Sequence, residues 1–181
     1  MGNGEKTKQI KMKALLIFFI SYLTVGNLYS QDTDTLVPEL DFFNSIEGIW
    51  EGMPNDTSFV SVLDYKIENK EHFVFVNNNL LSKERKLFSH YEGVYFFNPN
   101  TSRIEFTTIN KSEIHSGYCK MVNDTLYHYA TIKNKAGNVR AYSSAIVKVD
   151  DKTLEYYAVY GKDEEIPELV FENQLVYKKI E

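Results

Sequence analysis

The sequence predicts an all-β fold: a ten-stranded antiparallel up-and-down β-barrel that follows a short helix and a signal peptide. Three observations predict it. Of the 181 residues, 43% are hydrophobic and 14% are aromatic, which is enough for a core and is typical of strand-rich chains. Apolar and polar residues alternate with a period of two along most of the chain. Clusters of Asn, Asp, Gly and Pro separate the alternating segments, and no helix-length periodic segment intervenes to support parallel crossovers.

The N-terminal segment, residues 1–30, is predicted to be a signal peptide. Four lysines precede an apolar run over 14–25, and this run is too short to span a hydrocarbon core of ~30 Å as a helix. A basic region before a short apolar run is typical of export signals, with cleavage expected after Ser30. Met1 and Met12 are both possible starts, and an N-terminal membrane anchor is the alternative. Residues 31–37 would then be a flexible leader and 38–181 a single barrel domain, exported to the periplasm or secreted.

The charge of the mature chain excludes one class of partner. Without residues 1–30 the chain keeps 16 basic and 24 acidic residues, a net charge of −8. A polyanion such as DNA would be repelled by this field, and no segment combines clustered Lys and Arg with aromatic residues. We therefore expect no nucleic-acid partner. The single cysteine allows no internal disulfide, so the fold depends on packing alone.

A short helix is predicted first, followed by the strands. Pro38 suits the first helical turn, Leu40, Phe43 and Ile46 recur at helical spacing, and Gly48 ends the helix predicted over 38–45. The predicted strands are 49–53, 57–67, 71–80, 87–97, 103–110, 113–122, 125–133, 139–149, 153–160 and 168–179. A meander of this length must hide its edges, and closure into a barrel does so completely.

Two hairpins can be placed in register from their turns. A two-residue loop at 111–112 pairs Phe106 with Gly117 and Thr108 with His115, and one at 123–124 pairs Cys119 with His128. Both assignments place the same residues on one face, which we take as the inner one. That face carries small residues (Gly117, Cys119 and Ala130) and polar ones, which predicts room for a cavity or ordered water. A barrel filled by Phe and Tyr from other strands is the alternative.

A family resemblance begins at the first predicted strand. Residues 43–52 (FNSIEGIWEG) combine a short helix with a Gly-x-Trp-x-Gly pattern made by Gly48, Trp50 and Gly52. This resembles the calycin-like proteins, namely the lipocalins, the fatty-acid-binding proteins and the nitrobindin-like ten-stranded barrels. The resemblance implies a barrel whose Trp closes one end beside the helix. The signal ending in Tyr-Ser-Gln is also similar to that of exported proteins of Bacteroidetes.

The ligand sites of those families do not transfer to this sequence. Nitrobindins bind haem through a histidine near the end of the chain, but no histidine follows His128. Fatty-acid-binding proteins hold a carboxylate with an Arg-x-Tyr pair in the last strand. The nearest counterpart here is Tyr177 with Lys179, in reversed order and without arginine. We therefore expect no cofactor, and a haem-binding protein is the least favoured reading.

The other chemically interesting residues are interpreted as parts of the barrel. Cys119 beside His128 could be a nucleophile or a metal site, but a thiol nucleophile needs a lowered pKa, and zinc needs more ligands than this pair supplies. No nucleophile elbow, phosphate loop or dinucleotide fingerprint is present. Arg140 and Tyr142 could point inward or outward, and an inward Arg140 would be the best anion partner. Inward tyrosines would orient an amphipathic ligand.

These patterns favour an exported barrel that binds a small apolar or amphipathic ligand and has no catalytic, metal or cofactor site. The alternative is a non-catalytic interaction or structural domain with a filled core, using the outward Tyr118, Tyr127 and Tyr129. The residues predicted to line the ligand site are Phe106, Thr108, His115, Cys119, His128, Arg140, Tyr156, Tyr160 and Tyr177.

Overall fold

The computed structural model describes residues 37–54, 58–68, 73–172 and 174–180. The predicted signal peptide and nearly all of the predicted leader lie outside these residues. Within them, one helix is followed by ten antiparallel strands, as the sequence predicts. No helix in this described part of the chain is long and apolar enough to cross a lipid bilayer.

The strands close into a barrel in which every neighbour in sequence is a neighbour in space, and the first strand pairs with the last. The elements are α1 (Pro38–Ser45), β1 (Gly48–Pro54), β2 (Val60–Glu68), β3 (Phe73–Leu81), β4 (Leu87–Asn98), β5 (Arg103–Ile109), β6 (Glu113–Val122), β7 (Thr125–Asn134), β8 (Val139–Asp150), β9 (Thr153–Tyr160) and β10 (Leu175–Lys179).

Both predicted hairpin registers are confirmed. Phe106 pairs with Gly117 and Thr108 with His115 between β5 and β6, and Cys119 pairs with His128 between β6 and β7. The second turn has positive φ at Asn123 (48°) and Asp124 (61°). These dihedrals belong to the two-residue turn whose twist matches that of the flanking strands.

Helix α1 closes one end of the barrel. Phe43, Ile46 and Trp50 are fully buried, and the Phe43 ring lies 4.6 Å from Tyr95 between centroids. The Trp50 Nε1–H donates to the carbonyl oxygen of Ile46 at 2.7 Å. This bond satisfies the indole group inside an apolar environment, where an unpaired donor would be costly. Trp50 therefore packs at the end of the barrel that α1 closes.

The two glycines of the Gly-x-Trp-x-Gly pattern are required for different physical reasons: one for its backbone conformation and the other for the space beside it. Gly48 has φ of 123°, a conformation that residues with a side chain rarely adopt. Gly52 pairs with Tyr177 of β10, and a Cβ at Gly52 would lie 2.7 Å from the Tyr177 ring. The missing side chain therefore lets the Tyr177 ring lie directly on the backbone of β1.

The prediction of a strand over 168–179 is wrong in its first half, because β10 begins only at Leu175. Its partner β1 ends at Pro54, opposite Leu175, so β1 offers no longer ladder to pair with. Residues 161–172, which we call the strap, instead lie on the outer face of β7, β8 and β9. The Ser143 hydroxyl donates to the Pro167 carbonyl at 2.8 Å, and the Phe171 ring contacts Tyr157 at 4.9 Å.

Substitution of Gly52 by Ala tests the contact between β1 and β10. We expect the free energy of unfolding to fall by about 1–3 kcal/mol, because the added methyl group must displace a buried ring. Urea denaturation would measure this change. Met53→Ala is the control, since Met53 is the next residue and is 53% exposed. Equal effects of the two substitutions would contradict the packing role of Gly52.

Candidate functional site

The candidate site is a cavity of about 220 Å³ inside the barrel. It lies above the end closed by α1 and extends towards the opposite end, which we call the mouth, where Tyr160 is 53% exposed. Seven tyrosines, two phenylalanines and two histidines contribute to its walls, together with Ser, Thr, Asn and aliphatic side chains. None of the described residues that line it is Asp, Glu, Lys or Arg.

Most of the residues predicted to line the site are brought together there. The cavity wall includes seven of the nine, namely Phe106, Thr108, His115, His128, Tyr156, Tyr160 and Tyr177. The other two, Cys119 and Arg140, do not line it. Cys119 is buried in the core cluster near the closed end, and Arg140 is exposed at the mouth.

The cavity exists for a different reason from the one that the sequence suggested. Gly117, Cys119 and Ala130 are small, but none of them lines the cavity. A Cβ at Gly117 would lie only 2.6 Å from the Cβ of Ala130, so the adjacent strands already occupy this space. The cavity instead lies among aromatic rings, which are rigid and are fixed in place by their neighbours.

His128 is one of the buried polar residues in the wall. Its side chain is buried and its Nε2 lies 3.3 Å from the Tyr95 hydroxyl oxygen. Its ring also packs edge-on against Phe106, with 5.3 Å between centroids. Burial lowers the pKa of His128 from its usual 6.5 to about 4, so the imidazole is neutral near pH 7. Among the described residues, Nδ1 has no hydrogen-bond partner.

Cys119 pairs with His128 in register, but its environment opposes thiol chemistry. Burial raises the pKa of the Cys119 thiol well above its ordinary value, whereas a nucleophilic cysteine needs a lowered pKa. Within the described ranges, no group of three or more His, Cys, Asp or Glu side chains could hold a metal ion.

A chain of hydroxyl and amide groups runs along another part of the wall. The Tyr177 hydroxyl donates to Ser61 Oγ at 2.8 Å, and the Ser61 hydroxyl donates to Asn78 Oδ1 at 2.9 Å. Sequence reasoning missed Ser61 and Asn78, because only the registers of β10 with β1, of β1 with β2 and of β2 with β3 bring them next to Tyr177. These bonds orient neutral polar atoms around the cavity.

Sequence reasoning also missed Tyr91 and Tyr95. Gly93 of β4 pairs with the inward Thr108 of β5, and Tyr91 and Tyr95 lie two residues before and two residues after Gly93. Extending the hairpin register from β5 to β4 would have placed Tyr91 and Tyr95 on the inner face by alternation.

A group of ionisable side chains on the inner face lies at the mouth. Glu113 Oε1 accepts a hydrogen bond from the Tyr91 hydroxyl at 2.9 Å and lies 2.9 Å from His115 Nε2. Burial alone would raise the pKa of Glu113, but the hydrogen bonds from His115 and Tyr91 and the nearby Arg140 charge lower it on balance. Glu113 is therefore a carboxylate at the rim of a cavity whose described lining includes no Asp, Glu, Lys or Arg.

The orientation of Arg140 and Tyr142, which the sequence left open, is resolved by the register. Tyr142 pairs with Ala130 and Arg140 with Ile132, and both partners are buried on the inner face. Tyr142 is therefore inward and buried. Arg140 shares its face one step nearer the mouth, with its guanidinium carbon 5.2 Å from the centroid of the Tyr160 ring.

The inward side chains of β10 have partners within the barrel. Tyr177 lies on the inner face of β10, and its hydroxyl donates to Ser61 Oγ. The Lys179 ammonium lies at the closed end, where it donates to the Glu47 carbonyl at 2.6 Å and lies 5.3 Å from the Trp50 ring centroid.

Comparison with protein-family models and with curated proteins found no match to this chain.

Replacement of His128 by Gln tests the buried neutral imidazole. Because the folded-state pKa is about 4 and the unfolded value is near 6.5, the unfolded chain binds the extra proton between these values. The wild-type protein should therefore lose up to about 3 kcal/mol of stability as the pH falls from 7 to 4. His128→Gln should lose less over the same range.

Urea denaturation at several pH values would measure both proteins. His90→Gln is the matched control, because the His90 side chain is 38% exposed. If wild type and His128→Gln lose stability in parallel, the imidazole is not buried in its neutral form.

Proposed function

We propose that this protein is an exported calycin-like barrel that binds one small apolar or amphipathic molecule in its cavity without transforming it. The observation that carries the proposal is the cavity itself, about 220 Å³ of space among aromatic rings and neutral hydrogen-bonding groups. Concave sites that are mainly apolar, with a few placed polar groups, are the usual form of small-molecule sites.

The size of the cavity limits the ligand. An engineered apolar cavity of ~150 Å³ binds benzene, whereas sites for drug-sized ligands begin at ~300 Å³. A volume of about 220 Å³ lies between these values. It suits a molecule with a single ring, or an aliphatic body of similar size, and not a long acyl chain or a macrocycle.

The chemistry of the walls limits the part of the ligand that is buried. Moving an ion into a site without a partner charge costs several kcal/mol or more, and none of the described lining residues is Asp, Glu, Lys or Arg. The Tyr177 and Tyr95 hydroxyls supply neutral groups that hydrogen-bond a polar substituent. The buried part of the ligand is therefore uncharged and aromatic or aliphatic.

The interaction-domain alternative has less support. The outward Tyr118 and Tyr129 rings lie 5.3 Å apart, but the strap places Phe171 against Tyr127 at 6.4 Å. Part of the proposed patch is thus already occupied by the chain itself. A filled core would also leave no space where the cavity lies.

Filling the cavity tests the proposal. Thr108→Phe adds a ring to the cavity wall, and Thr107→Phe adds the same ring to the next residue, which faces outward. We expect p-cresol and indole to bind the wild-type barrel and the Thr107→Phe variant, and to bind Thr108→Phe at least about tenfold more weakly because the space is occupied. Ligand-observed NMR would measure binding, with circular dichroism to verify folding.

Native mass spectrometry of the protein purified from its own compartment provides a second measurement. A co-purifying mass that is absent from Thr108→Phe is the expected result. A folded wild-type protein that carries no added mass and binds neither probe would overturn the proposal.

A further inference from the structure

The inner face carries very few cationic residues, and only one lies at the mouth. In the described strands, Lys or Arg occurs on this face at Arg140, Lys148 and Lys179. The Lys148 ammonium pairs with Asp151 at 2.9 Å, and Lys179 is held by Glu47 and Trp50 at the closed end. Arg140 therefore differs from the other two in both position and partners.

The guanidinium of Arg140 is held against an aromatic ring, but no described carboxylate forms an ion pair with it. It lies over the Tyr160 ring at 5.2 Å, and Tyr160 stacks on Tyr142 with 5.8 Å between centroids. Both tyrosines line the cavity. No described residue hydrogen-bonds the guanidinium or forms an ion pair with it. Its planar donors are therefore available to an acceptor that enters from the mouth.

The Glu113 carboxylate does not occupy these donors. Glu113 makes its contacts with Tyr91 and His115, and it lies close enough to Arg140 only for the charges to act on each other. Two negative charges on a ligand head group would be repelled by Glu113 at the same rim. A singly charged carboxylate avoids most of this repulsion and matches the planar guanidinium.

We propose that Arg140 recognises a carboxylate at the mouth, so that the ligand is a small aromatic acid whose ring lies in the tyrosine-lined cavity and whose carboxylate stays at the rim. This inference rests on the proposed function, because it needs the cavity to hold the body of the ligand. The opposite side of the mouth is apolar, with Phe59, Leu80 and Leu175 in the wall. The ligand would thus be oriented by one charged contact on one side only.

A pair of probes that differ only in charge tests the proposal. 3-Phenylpropionate and 3-phenylpropionamide share a ring and a chain, and isothermal titration calorimetry would measure their affinities at low and at moderate salt. The wild-type protein should bind the acid more tightly than the amide. Arg140→Gln should weaken binding of the acid about three- to tenfold and change binding of the amide less than about twofold.

Arg103→Gln is the matched control. Its guanidinium lies over Tyr118 at 4.7 Å, so it has the same type of aromatic contact, but it is on the outer face. It should bind both probes as the wild type does. Glu113→Gln should bind the acid more tightly, because it removes a negative charge while keeping an acceptor for Tyr91.

The outcomes separate the two proposals. If wild type binds acid and amide equally and Arg140→Gln changes neither, the role of Arg140 is overturned while the proposed function stands. If neither probe binds the wild type but p-cresol or indole does, the inferred ligand class is wrong. If none of the four probes binds, the failure lies with the proposed function itself.

Discussion

Closure of the barrel depends on the pairing of β1 with β10, in which Trp50 to Pro54 meet Leu175 to Lys179. Without these few pairs the sheet would have two open edges, and its interior would be a groove and not a cavity. The contact is tight because Gly52 lets the Tyr177 ring lie on its backbone. The Tyr177 hydroxyl also donates to Ser61, and both residues line the cavity. The contact that closes the barrel is therefore also part of the cavity wall.

Enclosure also decides the protonation of the interior. Burial raises the pKa of Tyr95 and Tyr156 and lowers that of His128, because the charged form of each loses its solvation. All three groups are therefore neutral at ordinary pH. The carboxylate of Glu113 and the guanidinium of Arg140 remain at the mouth, where water still solvates them. The described lining of the cavity thus contains no Asp, Glu, Lys or Arg, whereas Glu113 and Arg140 lie at the mouth. The lining supports the proposed function, and Arg140 supports the proposed recognition of a carboxylate.

Registers that depend on residues close together in the sequence were predicted correctly, whereas a strand boundary that depends on distant residues was not. Hairpins with two-residue turns are defined by neighbouring residues, so the registers of β5, β6 and β7 were predictable. Four lining residues followed from them, namely Phe106, Thr108, His115 and His128. The start of β10 was not, because it depends on where β1, more than a hundred residues away, ends at Pro54. Val170 and Phe171 have the composition of a strand, but they lie in the strap.

The sequence by itself determined the strand order, the turns and the face of most residues, because alternation and turn chemistry act over short distances along the chain. Only the tertiary structure decided how much of the interior is filled. Ring packing between distant strands sets that volume, and the small residues Gly117 and Ala130 contribute none of it. It also decided the place of Arg140, since the inner face at the mouth is defined by pairing across β7 and β8. Whether a charged side chain on that face is buried or solvated depends on its distance from the mouth of the closed barrel. The residues next to it in the sequence do not determine that distance.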